Sequence, residues 1–195
     1  GTQTAQAIAL YLGIVPEGKE QLVADKLCEV VRANNHFLDF GLLGSKSVPA
    51  MLTRYGYVED AMKMITKTEA PSWGYWVETM GYTTLPETWT LSPEFRDASL
   101  NHVFMGDVSA WMMNQLACIN YDAVEPGFRH ILITPHFVEG MDWVKGEYHS
   151  VRGLISSEWK REGGKVTLTV TIPSGCTADI RVGDKTETVG SGTHV

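Results

Sequence analysis

Apolar residues recur at helical spacing through the first part of the chain and at strand spacing through the last. From Lys19 to Asn34 they fall at Leu22, Val23, Leu27, Val30 and Val31, one stripe of a helix that Asn34 and Asn35 stop. Thr4 to Leu12 predicts a shorter helix, ended by Gly13 and Pro16. The apolar, glycine-broken run Phe37 to Gly44 predicts a short connection. Ser47 then reads as a cap and Pro49 as a first-turn residue of a helix reaching Tyr55, with Gly56 as its stop. Tyr57 to Thr68 predicts another, its acids early and its lysines late, as the helix dipole favours. Ser99 to Ile119 is the longest helical candidate. Leu100, Phe104, Val108, Trp111, Gln115 and Ile119 share one of its faces, and few charges lie on any face, as in a helix covered on more than one side.

Past Asp122 the period shortens. Arg129 to Thr134 is rich in strand formers between Gly127 and Pro135, and Val166 to Ile172 alternates strictly, valine, leucine and isoleucine on one face and threonine on the other. Gly163-Gly164 predicts a hairpin with Ile155–Lys160, and Gly183-Asp184 a second one between Ile180–Val182 and Thr186–Val189. Helices followed by short strands imply two domains, 1–122 helical and 123–195 an antiparallel β-sandwich.

Composition narrows the classes. No apolar run approaches membrane-spanning length. A net charge of −7 argues against non-specific nucleic-acid binding, and the acids concentrate in residues 1–122, 14 against 8 bases. Cys28, Cys118 and Cys176 are odd in number and lack metal-ligand spacing, so Cys28 and Cys118 read as small apolar packing residues. A first residue of Gly, directly inside an apparent helix, suggests an excised fragment or a processed product.

One stretch resists reading as plain core. Pro71 to Trp89, PSWGYWVETMGYTTLPETW, holds three of the six tryptophans among prolines and glycines, with Glu78 and Glu87. Flat aromatic rings cover the apolar face of a sugar, and acids move its protons. Structural core is the competing reading. Glu87, between Pro86 and Trp89, is the leading acid–base candidate; a surface glutamate is the alternative. Glu78 is a weaker candidate of the same kind. Glu94 and Asp97 read as helix-start acids, and Asp39 as a turn or cap residue. His102, with Ser99 and Asn101 beside it, reads either as a site residue or as a hydrogen-bonded core histidine. His130, His136 and His149 lack metal-ligand spacing.

Beyond the residues themselves, the segments TQTAQAIALYLGIVP, PSWGYWVETMGYTTLPETW, SLNHVFMGDVSAWMMNQLACI, PGFRHILITPH and RGLISSEWKREGGKVTLTVTIPSG resemble, in order, the bacterial α-L-rhamnosidases of glycoside hydrolase family 78. The likeness runs from Thr2 to about Val182. It implies a partial (α/α)6 toroid of about six helices followed by a C-terminal β-sandwich, and an inverting glycosidase that releases terminal L-rhamnose from a carbohydrate substrate. By position in the motifs, Glu87 matches the general base and His102 a sugar contact, while Trp73, Tyr75 and Trp89 match the aromatic wall. No metal or organic cofactor is implied.

The chain also departs from the family pattern. The acidic motif that carries the general acid lies upstream of the segments matched here, so the isolated chain is expected to be inactive. Asp39-Phe40-Gly41 stands where relatives commonly have Thr-Gly, and Pro86 where many have Trp. Helix faces left without their neighbours suggest a homodimer, and the materials relatives degrade suggest a periplasmic or extracellular setting. Two other readings stay open: a non-catalytic sugar-binding module, and an interaction scaffold using Trp143 or Trp159 of the sandwich.

Overall fold

The computed structural model describes residues 1–89 and 97–195. The chain forms two compact units, Gly1–Ala110 and Trp111–Val195.

The first unit is helical. α1 (Gln3–Tyr11) starts where the Thr2 hydroxyl accepts the Ala5 N–H at 3.2 Å, and it buries Gln3, Ala7 and Leu10. α2 (Glu20–Ala33) buries Ala24, Leu27, Cys28 and Val31, the i, i+3, i+4, i+7 stripe of an amphipathic helix. α3 (Leu42–Arg54) begins five residues before the expected Ser47 cap. Ser47 instead lies inside it and donates its hydroxyl to Leu43 O at 2.9 Å, and Pro49 is an interior residue. Gly44, read as a break, is needed for packing: a β-carbon there would overlap the Phe40 side chain. α4 (Val58–Thr66) buries Ala61, Met64 and Ile65. The buried Gln3 amide joins α1 to the connection before α3, donating to Phe37 O at 3.0 Å and accepting the Asp39 N–H at 3.1 Å.

The long helix expected over Ser99–Ile119 is broken. Asp97 to His102 is irregular, a 3-10 turn covers Val103–Gly106, α5 runs only from Asp107 to Trp111, and a π-helical turn follows over Met112–Leu116. The reason is long-range. Backbone groups at Ser99 and His102 bond to Glu87 and Leu85, and are lost to a helix. Leu100 and Phe104, expected on a covered face, are exposed.

The second unit is a sandwich of two four-stranded sheets. One has the order β1 (Ile119–Tyr121), β2 (His130–Ile133), β6 (Thr177–Val182), β7 (Lys185–Val189); the other has β3 (Trp143–Ser150), β4 (Gly153–Glu162), β5 (Lys165–Ile172), β8 (Gly192–His194). Both predicted hairpins form, β4–β5 about Gly163-Gly164 at φ +54° and +79°, and β6–β7 about Gly183-Asp184. Every pairing is antiparallel except β2 with β6, which is parallel. No tight turn joins those two strands, so no hairpin dictates their direction. Ile131, Ile133, Ile155, Val170, Ile172 and Ala178 meet between the sheets with Cys118 and Cys176. Trp159, considered above as a partner-binding ring, is fully buried here and donates its indole N–H to Leu116 O at 3.0 Å; Trp143 is 62% exposed. All three cysteines are free and buried.

Candidate active site

The aromatic stretch folds around a single π-helical turn, Tyr75–Thr79. Ser72 starts it: its hydroxyl accepts the Tyr75 N–H at 2.9 Å and donates to Lys67 O. Gly74 makes the close approach possible, since a β-carbon there would sit 2.5 Å from the Lys67 carbonyl oxygen. Tyr75 is half-buried, and Glu78 is exposed on the same turn.

Four rings form the centre. Trp73, 3% exposed, donates its N–H to Met105 O at 3.0 Å and meets Trp89 edge-on at 5.1 Å. Phe40 lies 6.0 Å from Trp73 and 5.9 Å from Trp89. Trp76 stacks on Trp89 at 4.4 Å and 21° and donates its own N–H to Trp89 O at 3.3 Å. Trp89 in turn donates to Phe40 O. Its ring is packed by three others and its N–H is satisfied, so its orientation is fixed.

Glu87 lies two residues before this fixed ring. Residues 84–87 run alongside 99–102: Glu87 N–H donates to Ser99 O at 2.8 Å, His102 N–H to Leu85 O at 2.8 Å, and the Thr84 hydroxyl to Leu100 O at 2.7 Å. Ser99 N–H returns to the Glu87 carboxylate, Oε2, at 3.1 Å. A carboxylate so bonded is aimed by backbone and is independent of side-chain rotamers in its partner. Half-buried His102 sits on the facing segment, its Nδ1 accepting the Phe104 N–H at 3.4 Å. The fold thus brings Glu87 and His102 onto paired segments, and Trp73 and Trp89 into one cluster.

Other candidates lie apart. Asp97 and Asp39 are exposed, and Glu94 lies outside the described residues. His130 bonds Thr177 Oγ1 at 2.7 Å and faces Asp179 at 3.3 Å. Among the described residues no three His, Cys, Asp or Glu side chains gather as metal ligands. Sequence reasoning missed Ser99 as the group that aims Glu87, and Trp76 and Phe40 as supports. The aromatic density of the stretch pointed to Trp76 alone; Phe40 and Ser99 lie outside it.

A cavity of about 220 Å³ borders the paired segments, lined by Gly81, Tyr82, Thr83, Thr84, Pro86 and Leu100. A larger one, about 610 Å³, opens at the end of the sandwich between β5, β6, β7 and β8. Its lining is mostly valine and threonine, with Glu187 as its one carboxylate side chain. Glycoside hydrolysis works between two carboxyls. The smaller cavity is lined by Pro86, the residue before Glu87, and by Thr84 and Leu100 of the paired segments.

A helical unit that pairs the Glu87 and His102 segments beside a four-ring cluster, followed by a sandwich, fits a glycosidase of the six-hairpin class. The sequence matches the bacterial alpha-L-rhamnosidase 6 hairpin glycosidase domain over residues 1–116 and the bacterial alpha-L-rhamnosidase C-terminal domain over residues 119–195. The chain belongs to the bacterial α-L-rhamnosidase family. It is 28% identical over 187 residues to an α-L-rhamnosidase of Streptomyces avermitilis, covering 92% of this chain and 18% of that protein. An α-L-rhamnosidase of Formosa agariphila is 28% identical over 183 residues, covering 92% and 19%. The crystal structure of the Aspergillus terreus α-L-rhamnosidase superposes with a TM-score of 0.91 at 27% identity, over 99% of this chain and 23% of that one. The Streptomyces avermitilis enzyme complexed with L-rhamnose gives 0.89 at 27% identity, over 98% and 21%. The chain therefore spans about a fifth of the length of its curated relatives.

Proposed function

We propose that this chain is the base-bearing part of an inverting glycosidase that releases terminal α-L-rhamnose. Glu87 takes a proton from water as that water attacks the anomeric carbon, and His102 contacts the sugar. Trp73 and Trp89 form the aromatic wall with Tyr75 beside them, the two tryptophans chiefly as its packed support. The observation that carries this reading is the Glu87 carboxylate aimed by Ser99 N–H at 3.1 Å, with His102 on the facing segment.

Inversion needs a second carboxyl roughly 6.5–9.5 Å from the first to protonate the leaving oxygen. That general acid belongs to a part of the protein outside this chain, so the isolated chain is inactive or nearly so. Leu22, Leu43 and Val103 stand exposed on the first unit, apolar surface of the kind that the rest of a toroid would cover. Alone, the chain is expected to dimerise or bind apolar dyes; a dye-silent monomer by light scattering contradicts this.

The test is hydrolysis of an aryl α-L-rhamnoside by the isolated chain and by a full-length enzyme carrying it, each with and without Glu87→Gln. Activity confined to the full-length enzyme, and falling at least 100-fold on that substitution, supports the proposal. A full-length enzyme that stays active with Glu87→Gln, or that prefers another sugar, overturns it. Sugar binding that survives in an enzyme with no turnover at all favours a binding module instead.

A further inference from the structure

Resting on the reading of Glu87 as the base, we infer that Trp76 is a positioning residue that sets where that base stands. The segment from Tyr82 to Trp89, which carries Glu87, is tied at both ends to this one residue. Tyr82 N–H donates to the Trp76 backbone carbonyl at 2.8 Å. At the other end, the Trp76 indole N–H donates to Trp89 O at 3.3 Å, and its ring stacks on Trp89 at 4.4 Å. Trp76 is 1% exposed, so it does its work from beneath the segment and offers no face to a sugar.

The two ties differ in what they ask of the side chain. Any residue supplies the backbone carbonyl, whereas the bond to Trp89 O needs an indole-length donor. Between the ties, Glu87 is cross-braced to Ser99 through its own backbone and carboxylate. Loss of the indole donor loosens the Trp89 end, still held by its ring contacts and the bond to Phe40 O, and the nearest functional group to that end is Glu87. Base catalysis is steep in geometry, a 1 Å misplacement costing on the order of 100-fold. Substrate contact through His102, on the facing segment, does not pass through this tie.

The experiment is a double-mutant cycle on the full-length enzyme with an aryl α-L-rhamnoside: Trp76→Phe, Glu87→Gln and both together. Phenylalanine keeps a stacking ring while removing the donor and part of the buried ring area. The expected result is a fall in kcat of about 10- to 100-fold for Trp76→Phe with KM changed less than about threefold, and a loss below about twofold when Gln already replaces Glu87. An equal loss in both backgrounds, or a loss seen only in KM, overturns the inference and makes Trp76 a packing residue. If Glu87→Gln abolishes turnover but Trp76→Phe does nothing, the inference fails and the base assignment stands. If Glu87→Gln itself leaves kcat intact, the base assignment fails and takes the inference with it. Should Trp76→Phe not fold, judged by its far-ultraviolet helix signal, Trp76→Met, which fills the site without a donor, enters the same cycle. Non-additivity with Glu87→Gln is again expected, and additivity overturns the inference.

Discussion

Asp60 gives the firmest prediction about stability. Its carboxylate is buried on α4, with Arg32 Nε and Nη2 from α2 donating to its two oxygens at 2.8 Å each and His36 Nε2 donating at 2.8 Å. Burial alone would raise this carboxyl. The bonds from Arg32 and His36 and the Arg32 charge outweigh it and hold the group down from 3.8 to about 2. A depression of that size corresponds to at most about 2.5 kcal/mol of linked stability. The Arg32 side chain is 58% exposed, so solvent screening trims the figure to about 1–2 kcal/mol. For a depressed carboxyl the folded state holds fewer protons than the unfolded one between the two values. The contribution is therefore complete above about pH 5 and is lost as the pH falls through about 4 towards about 2. Urea unfolding followed by the far-ultraviolet helix signal reports this unit, because α1 to α4 lie in it. Between about pH 6 and about pH 2.5 the native chain should lose about 1 kcal/mol more than Asp60→Asn, and Asp60→Asn should itself be less stable at about pH 7. Parallel pH curves for the two proteins would refute the assignment of this network as a stabilising one.

Gly74→Ala should destabilise the helical unit by about 2 kcal/mol or more, because the new methyl meets backbone at Lys67 and Thr66 that no rotamer change can move. A melting temperature within a degree of the parent would contradict it. Burial, and then the Asp60 charge, push the Cys28 thiol up to about 12, and burial pushes Cys118 up to about 12 as well. Neither should react with a thiol reagent at about pH 8 until the chain unfolds. Labelling of either at the rate of a free thiol, measured by mass spectrometry of the native chain, would count against the packing described.

Local pattern made much of the fold legible. α2 carries a clean apolar stripe, α1 has its breakers and α4 its charge order, and the β4–β5 and β6–β7 hairpins have glycine turns, so near-neighbour chemistry was enough. The failures share a cause. The start of α3 was hidden because Gly44 reads as a break, whereas its lack of a side chain is what lets the Phe40 ring sit against the helix. The stripe from Leu100 to Ile119 looked helical because periodicity cannot register that Ser99 and His102 spend their backbone groups on Glu87 and Leu85. The parallel pairing of β2 with β6 joins strands far apart in sequence, with no turn to announce it. At the site, the residues themselves made Glu87 and His102 candidates, and the motif resemblance gave them their roles. What aims the carboxylate is a backbone N–H at Ser99, which carries no side-chain signature, and tryptophans there read equally well as core.

The pairing of residues 84–87 with 99–102 has a consequence for how such a site can diversify. Both ends of the stretch between Trp89 and Ser99 are moored, one by the tryptophan cluster and one by the backbone ladder. Chain inserted between two moorings adds a closure cost that grows only logarithmically, about 0.6 kcal/mol for each doubling in length. Residues gained or lost there leave Glu87 in register with Ser99, whereas a single residue added between Leu85 and Glu87 would shift the carboxylate off its donor. Variation in length can accumulate beside Glu87 while its carboxylate stays on the Ser99 N–H.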